Sequence, residues 1–244
     1  EWPDVGHTLV HQGISAEMMA EKWDLKRDDL DEYAFNSHIK AGDAIQAGYF
    51  DAQILPIKLA DGTVFKTDQG VRLPPDRERM TALKPVFKEN GVVTAGNASQ
   101  VSDGAAAILL ASPDAVGRYN LVPRARILAR AVVGSDPTLM LDGPIPATRL
   151  VLKNAGLTLD DMDVIEINEA FASVVLAWAK EIQPDMSKVN PNGGAIAHGH
   201  PLGATGAVLM TKLLHELERC KSRYGLQTMC IGHGMATATI IERL

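Results

Sequence analysis

The chain has 244 residues, enough to bury a sizeable core as one large domain or two modest ones. Its hydrophobic fraction of 46% with only 5% aromatic residues predicts an aliphatic core rich in alanine and glycine, suited to close helix–sheet packing. A net charge of -6 leaves no basic footprint, so nucleic acid is excluded as the main partner. The two cysteines form no C-x-x-C pair, which points to a reducing compartment, the cytoplasm or an organellar matrix, and to no disulfide framework. No apolar run reaches membrane-spanning length and no signal-peptide pattern is present. The chain begins Glu1-Trp2-Pro3 without an initiator methionine, so a processed or truncated piece of a longer protein is expected.

Residues 2–14 read as an irregular lead-in containing His7 and His11. Ser15 then caps a short helix, SAEMMAEKW, with Met19 and Trp23 on one face. A longer helix starts near Arg27, where Asp28 and Asp29 suit the positive helix end. It carries the stripe Leu30, Tyr33, Ala34, Ser37, Ala41, Ala44 and Ile45 and closes at Gly48. A short strand is expected at 54–57 and a hairpin turn at Asp61-Gly62, inside a polar, surface-facing excursion that contains Arg72, Arg77 and Arg79. From Val92, AGNASQVSDG predicts a tight loop and AAAILLAS a buried strand. Ser112-Pro113 opens a short helix. RARILARAVV reads as a strand.

The last part alternates: a helix over 146–154 ended by Gly156, a buried strand DVIEI, and a helix over 168–182 opened by Asn168. A glycine-rich loop, a helix from about Ala204 to Arg219 and two closing strands, LQTMCI and ATATIIER, complete the chain. The order predicts a layered α/β domain.

The loop NPNGGAIAHGHPLGATG, residues 190–206, is the centre of the expected chemistry. Glycine contributes no apolar surface, so Gly193, Gly194, Gly199, Gly203 and Gly206 serve main-chain conformation and close approach. A glycine loop feeding a helix start directs backbone N–H groups at an anion or a developing oxyanion. His198 and His200 ride in the loop. Cys230 ends an apolar strand just before Gly232-His233-Gly234, a turn expected to expose the thiol. Residues alone suggest Cys230 as nucleophile and His200 as its base, against the plain alternative of a buried cysteine filling the core. Asn168 and Glu169 sit at a strand-to-helix junction, where ligands collect in α/β sheets; helix capping by Asn168 and dipole complementation by Glu169 are the plain alternatives. The spacing of His198, His200, Cys230 and His233 matches no common zinc site, so no metal is expected. GATG lacks the Walker and dinucleotide patterns.

Together HQGISAE, TAGNAS with SDGAAA, GPIPA, NEAFA, NPNGGAIAHGHPLGATGA and CIGHG ahead of IIERL resemble the thiolase family, over nearly the whole chain. The resemblance implies a layered αβα thiolase fold comprising a CoA-covering loop domain over 1–91, a return segment of the amino-terminal domain over 92–124, and the carboxy-terminal domain over 125–244. It implies acyl transfer: thiolytic cleavage of 3-ketoacyl-CoA, or the reverse Claisen condensation with acetyl-CoA. Coenzyme A is then a substrate, no separate cofactor is needed, and a homo-oligomer, dimer or tetramer, is expected.

The resemblance also reassigns roles. Cys230 becomes the acid/base that moves the α-proton, while His200 activates a nucleophilic cysteine. His200 and a water on Asn168 hold the thioester enolate oxygen, and the Gly232 N–H serves a second oxyanion hole. His11, Arg72, Ala95, Ser99, Ala170 and Phe171 match the CoA and acyl-binding positions, with Arg72 at the nucleotide end and Ser99 at the pantetheine. Nothing in the chain matches the nucleophilic cysteine, so a catalytically incomplete CoA-binding or assembly piece is the alternative. A decarboxylating ketoacyl synthase, a rival condensing enzyme, would carry a histidine at Cys230. His233 and His198 stand where relatives of the family often carry glycine and an apolar residue.

Overall fold

The computed structural model describes residues 8–244, so His7 and the start of the expected lead-in lie outside the described residues. The chain folds as α1 (Gln12–Lys22), α2 (Arg27–Gln46), the short strands β1 (Ile57–Lys58) and β2 (Val64–Phe65), α3 (Arg77–Thr81) and α4 (Pro113–Tyr119). The second part runs β3 (Ala125–Gly134), α5 (Pro144–Ala155), β4 (Val164–Ile167), α6 (Ala172–Ile182), α7 (Ala195–His198), α8 (Thr205–Cys220), β5 (Tyr224–Ile231) and β6 (Met235–Arg243).

The main sheet has the order β3-β6-β5-β4, with β4 and β5 parallel and the other neighbours antiparallel. Alternation along the strands sends neighbouring side chains to opposite faces. Ile165, Ile167, Leu226, Ala238 and Ile240 therefore pack with α5 and α6, around Ile145, Val151, Val175 and Trp178. Val164 and Ile241 face the other way and meet Leu213 and Leu217 of α8. The result is the expected helix–sheet–helix layering. A further cluster joins α1 and α2 to α6 through Met19, Leu30, Ala34, Val174 and Ala177, and extends to Phe171, Ile196 and Cys230.

Most predicted elements appear, and the exceptions have physical causes. The first helix begins at Gln12, because the His11 side chain caps it by accepting from Gly13 N at 3.0 Å. Ser15 instead donates to Thr138 O at 2.8 Å. The strand expected at 54–57 forms only at 57–58, paired across Asp61-Gly62. The segment 105–112 is no buried strand: Leu109 and Leu110 are 80% and 72% exposed, since no neighbouring strand among the described residues pairs with it. The helix expected from Asn168 starts four residues later at Ala172, with Phe171 at its cap position. That delay leaves the Asn168 side chain available for other contacts.

Candidate active site

Asn168 follows the last residue of β4, and its backbone N–H continues the ladder by donating to Thr228 O at 3.0 Å. Thr228 lies two residues before Cys230 on β5, so the parallel pair delivers Asn168 and Cys230 to the same sheet edge. His200 reaches this edge from the glycine loop: its Nε2 lies 3.4 Å from Asn168 Nδ2. The partner of the other ring nitrogen fixes its tautomer. Thr205 Oγ1 donates its only proton to Pro201 O at 2.9 Å and therefore accepts from His200 Nδ1 at 2.7 Å. His200 Nε2 is thus the bare, basic nitrogen, with the Asn168 amide as its donor. Burial lowers the His200 pKa and holds the ring neutral.

Asn168 Oδ1 is buried and has no hydrogen-bond partner in the structure. A polar atom left so in a site of catalytic residue types is a point where a ligand or a bridging water finds an acceptor. Cys230 is 8% exposed and belongs to the apolar cluster that contains Ala170, Phe171 and Ile196. The expected exposure at the strand end falls instead on Ile231, because the turn spans Gly232-His233-Gly234 and Ile231 closes the ladder against Met235. Burial without a nearby cation pushes the Cys230 thiol up to about 12, away from the neutrality that an acid/base thiol suggests.

The loop itself is held by buried charge. Glu169 accepts from Tyr33 Oη (2.8 Å), Ser37 Oγ (2.7 Å), Asn190 Nδ2 (3.0 Å) and Ile196 N (3.1 Å), so one carboxylate joins α2, β4 and both ends of the loop's first half. Its role is a fastening, larger than the dipole complement expected from its position. Lys212 on α8 donates to Glu166 Oε2 at 2.9 Å and to Gly193 O at 2.5 Å. Gly193 has φ +72°, and a Cβ there would stand 2.5 Å from Ser37 O, so only glycine allows the loop to pass this close to α2. His198 Nε2 donates to Asn192 O at 2.9 Å, and its Nδ1 is 3.3 Å from Asp68 Oδ2.

The remaining expected residues fall into two groups. Ser99 N donates to Ala170 O at 3.0 Å, and Ala98 bridges Phe171, so Ser99, Ala170 and Phe171 form one wall. Phe171 meets Phe87 edge-on, and Phe87 stacks on His11, 5.1 Å between centroids. Gly232 lies by Gln12, next to His11. Arg72 and Ala95 stand apart. Ala95 is exposed in the turn that Asn97 closes by accepting from Thr94 N at 2.9 Å. Exposed Arg72 is held through its backbone, its N–H donating to His38 Nδ1 at 3.2 Å.

That bond requires a neutral His38. Burial, then the Arg72 charge, lowers its pKa to about 4. A histidine kept neutral on folding stabilises fully above its unfolded pKa near 6.5, and the contribution is lost as pH falls toward 4. We expect about 3 kcal/mol to disappear over that window. Urea unfolding between pH 7 and pH 4 should show this slope in the wild type and a flatter one in His38→Gln.

Sequence reading overlooked Thr205 and Gln100, both of which touch His200, as well as the Lys212–Glu166 pair. A lysine and a glutamate placed among apolar residues of a helix and a strand were the only available signal.

The family model described as the thiolase N-terminal domain matches residues 4–114, and that of the thiolase C-terminal domain matches 121–243. The chain belongs to the thiolase family. This thiolase chain is 53% identical to a steroid 3-ketoacyl-CoA thiolase of Mycobacterium tuberculosis, over 98% of its own length and 58% of the relative's. It is 48% identical to a beta-ketothiolase of Cupriavidus necator, covering 96% of the chain and 61% of that protein. Among solved structures it resembles an acetyl-CoA acetyltransferase of Bacillus anthracis, with TM-score 0.93 at 42% identity, covering 96% and 60% of the two chains. Human mitochondrial 3-ketoacyl-CoA thiolase in complex with CoA gives 0.90 at 40% identity, covering 96% and 59%. The thiolase chain thus spans about three-fifths of the length of these relatives. No helix among the described residues is long and apolar enough to cross a membrane.

Proposed function

We propose that this chain supplies the acid/base and enolate-holding half of a thiolase site. The reaction is thiolysis of a 3-ketoacyl-CoA or the reverse condensation of an acyl group with acetyl-CoA. A nucleophilic cysteine comes from a portion of the thiolase fold that this sequence does not contain. The observation that carries the reading is the Asn168–His200 contact, with a basic Nε2 beside a buried, unpartnered carbonyl oxygen.

In the condensation direction, the nucleophilic thiol gives its proton to His200 Nε2, and its sulfur bonds to the acyl carbon. The C–S bond to CoA breaks, and the departing CoA sulfur takes the Cys230 proton. Cys230 is then a thiolate without having ionised into solvent, which reconciles a pKa of about 12 with a role as base. The incoming acetyl-CoA gives its α-proton to Cys230. The enolate oxygen is held by the new Nε2–H of His200 and by a water on Asn168. The enolate carbon attacks the acyl group, and the released nucleophile recovers its proton from His200. Gly232 N–H is assigned to the tetrahedral intermediate, while His11, Ser99, Ala170 and Phe171 line the pantetheine and acyl end, Arg72 serves the nucleotide end, and Ala95 belongs to the CoA site apart from that wall.

Under this reading residues 1–91 cover CoA, 92–124 return toward the missing portion, and 125–244 form the carboxy-terminal domain. The partners are acyl-CoA, CoA and further thiolase subunits in a dimer or tetramer, in a reducing cytoplasm or organellar matrix. Exposed Leu109 and Leu110 supply apolar surface for that association.

The test is washout of α-deuterium from labelled acetyl-CoA. The isolated chain is expected to bind CoA but exchange slowly, since little thiolate exists at pH 8. Adding the nucleophile-bearing portion of a thiolase should restore exchange and thiolysis. Cys230→Ser should then lower exchange by about 10²- to 10⁴-fold while acylation of the nucleophile stays measurable. Loss of acylation with exchange intact would reverse the roles. CoA binding with no activity in the completed enzyme would leave only a CoA-binding or assembly piece.

A further inference from the structure

Gln100 grips the catalytic loop with both its main chain and its side chain. Its carbonyl oxygen accepts from His200 N at 3.0 Å. Its amide nitrogen donates to Gly70 O (3.0 Å), Ile196 O (2.9 Å) and Ala197 O (3.1 Å). Three carbonyl partners leave no doubt which end of the amide points there, and with two protons available one of them is shared. The approach is close: a Cβ on Gly70 would stand 2.8 Å from Gln100 Oε1 and 2.9 Å from Ala197 O. Gly70 lies two residues before Arg72, whose backbone is held in turn by His38. Ile196 and Ala197 belong to α7, which leads directly into His200. One side chain therefore ties the 70–72 segment to the loop that sets the position of the basic imidazole.

We infer that Gln100 is a positioning residue that couples the segment carrying Arg72 to His200, so that occupation of the nucleotide end of CoA is felt at the catalytic loop. The functional half of this inference rests on the thiolase reading above; the mechanical half does not. Gln100 touches no reacting atom. It supplies donors to carbonyls that would otherwise face one another across the gap between two separate stretches of chain. CoA binding at Arg72 then stiffens the 70–72 segment and, through the shared amide, the backbone of 196–200.

Hydrogen exchange on the 244-residue chain tests the coupling directly. Gln100→Glu keeps the shape but sets an oxygen against three carbonyl oxygens, and Gln100→Met keeps the length without donors. Both variants should speed amide exchange at 70–72 and at 196–200 together, by about 10-fold or more, with β5 and β6 unchanged. His200 N is the informative amide, since its own acceptor, the Gln100 backbone carbonyl, survives both substitutions. Loosening of only one segment, or of neither, overturns the coupling; loss of protection in β5 and β6 of both variants would make Gln100 a general stability residue and overturn it as well. The second arm adds adenosine 3′,5′-bisphosphate, the nucleotide end of CoA. In the wild type it should raise protection at 196–200, and in Gln100→Met it should bind without doing so. Equal protection in both proteins, or none in a wild type that binds the nucleotide, overturns the use of the coupling. A wild type that does not bind the nucleotide sinks the CoA reading, and the exchange arm still decides the coupling.

Discussion

Lys212→Met is expected to destabilise the chain by about 3–5 kcal/mol, because it leaves Glu166 as an uncompensated buried carboxylate. The Lys212 side chain is 6% exposed and that of Glu166 is 0% exposed, so neither charge has water to fall back on. Burial already pushes the Glu166 pKa up, and the Lys212 ammonium is the main influence opposing that rise. Gly193 O loses its donor in the same variant, so the damage reaches the start of the glycine loop. Urea unfolding at pH 7 measures the loss as a lower midpoint. The double variant Lys212→Met/Glu166→Leu, which removes both charges, should recover most of it. A single variant as stable as the wild type would show that the pair contributes nothing.

Asn168→Leu should act on rate and leave the fold intact. It removes the amide that meets His200 Nε2 and the carbonyl oxygen assigned to the enolate-holding water. Loss of one preorganised oxyanion contact typically lowers turnover by about 10²- to 10³-fold. In an enzyme completed with the nucleophile-bearing portion, kcat for condensation should fall by that factor with little change in CoA affinity. Unchanged kcat would remove Asn168 from the chemistry, whatever its place beside the imidazole. The leucine is close to isosteric, and the Asn168 backbone N–H to Thr228 O is retained, so thermal unfolding should shift little.

Residues with a single dominant reason for their place were legible in the sequence. Gly48 and Gly156, at φ +73° and +66°, end helices where left-handed backbone favours glycine, and Ser112 caps the helix that Pro113 opens. The short run DVIEI reads as a buried strand and the two closing runs as strands, and all three lie in the main sheet. Residues whose place depends on distant partners were not legible. Asn168 has the composition of a cap, but β4 extends one residue further through Thr228 and frees it. AAAILLAS has the composition of a core strand, yet burial is a property of neighbours, and no strand among the described residues pairs with it. Cys230 reads as accessible from the glycines after it, while in the folded chain it is buried in an apolar cluster with Ala170, Phe171 and Ile196, residues distant from it in sequence. Glu169 has an ordinary place at a helix start. Only the folded chain shows four donors converging on it from α2 and the loop.

The anchoring of the glycine loop bears on how substrate choice can vary within such a site. Glu169 and Lys212 pin the loop from opposite layers, while the wall of Phe87, Phe171 and His11 takes no part in either anchor. Under the proposed function, an exchange in that wall would leave both anchors in place, but at Phe171 it would also alter the apolar cluster that buries Cys230.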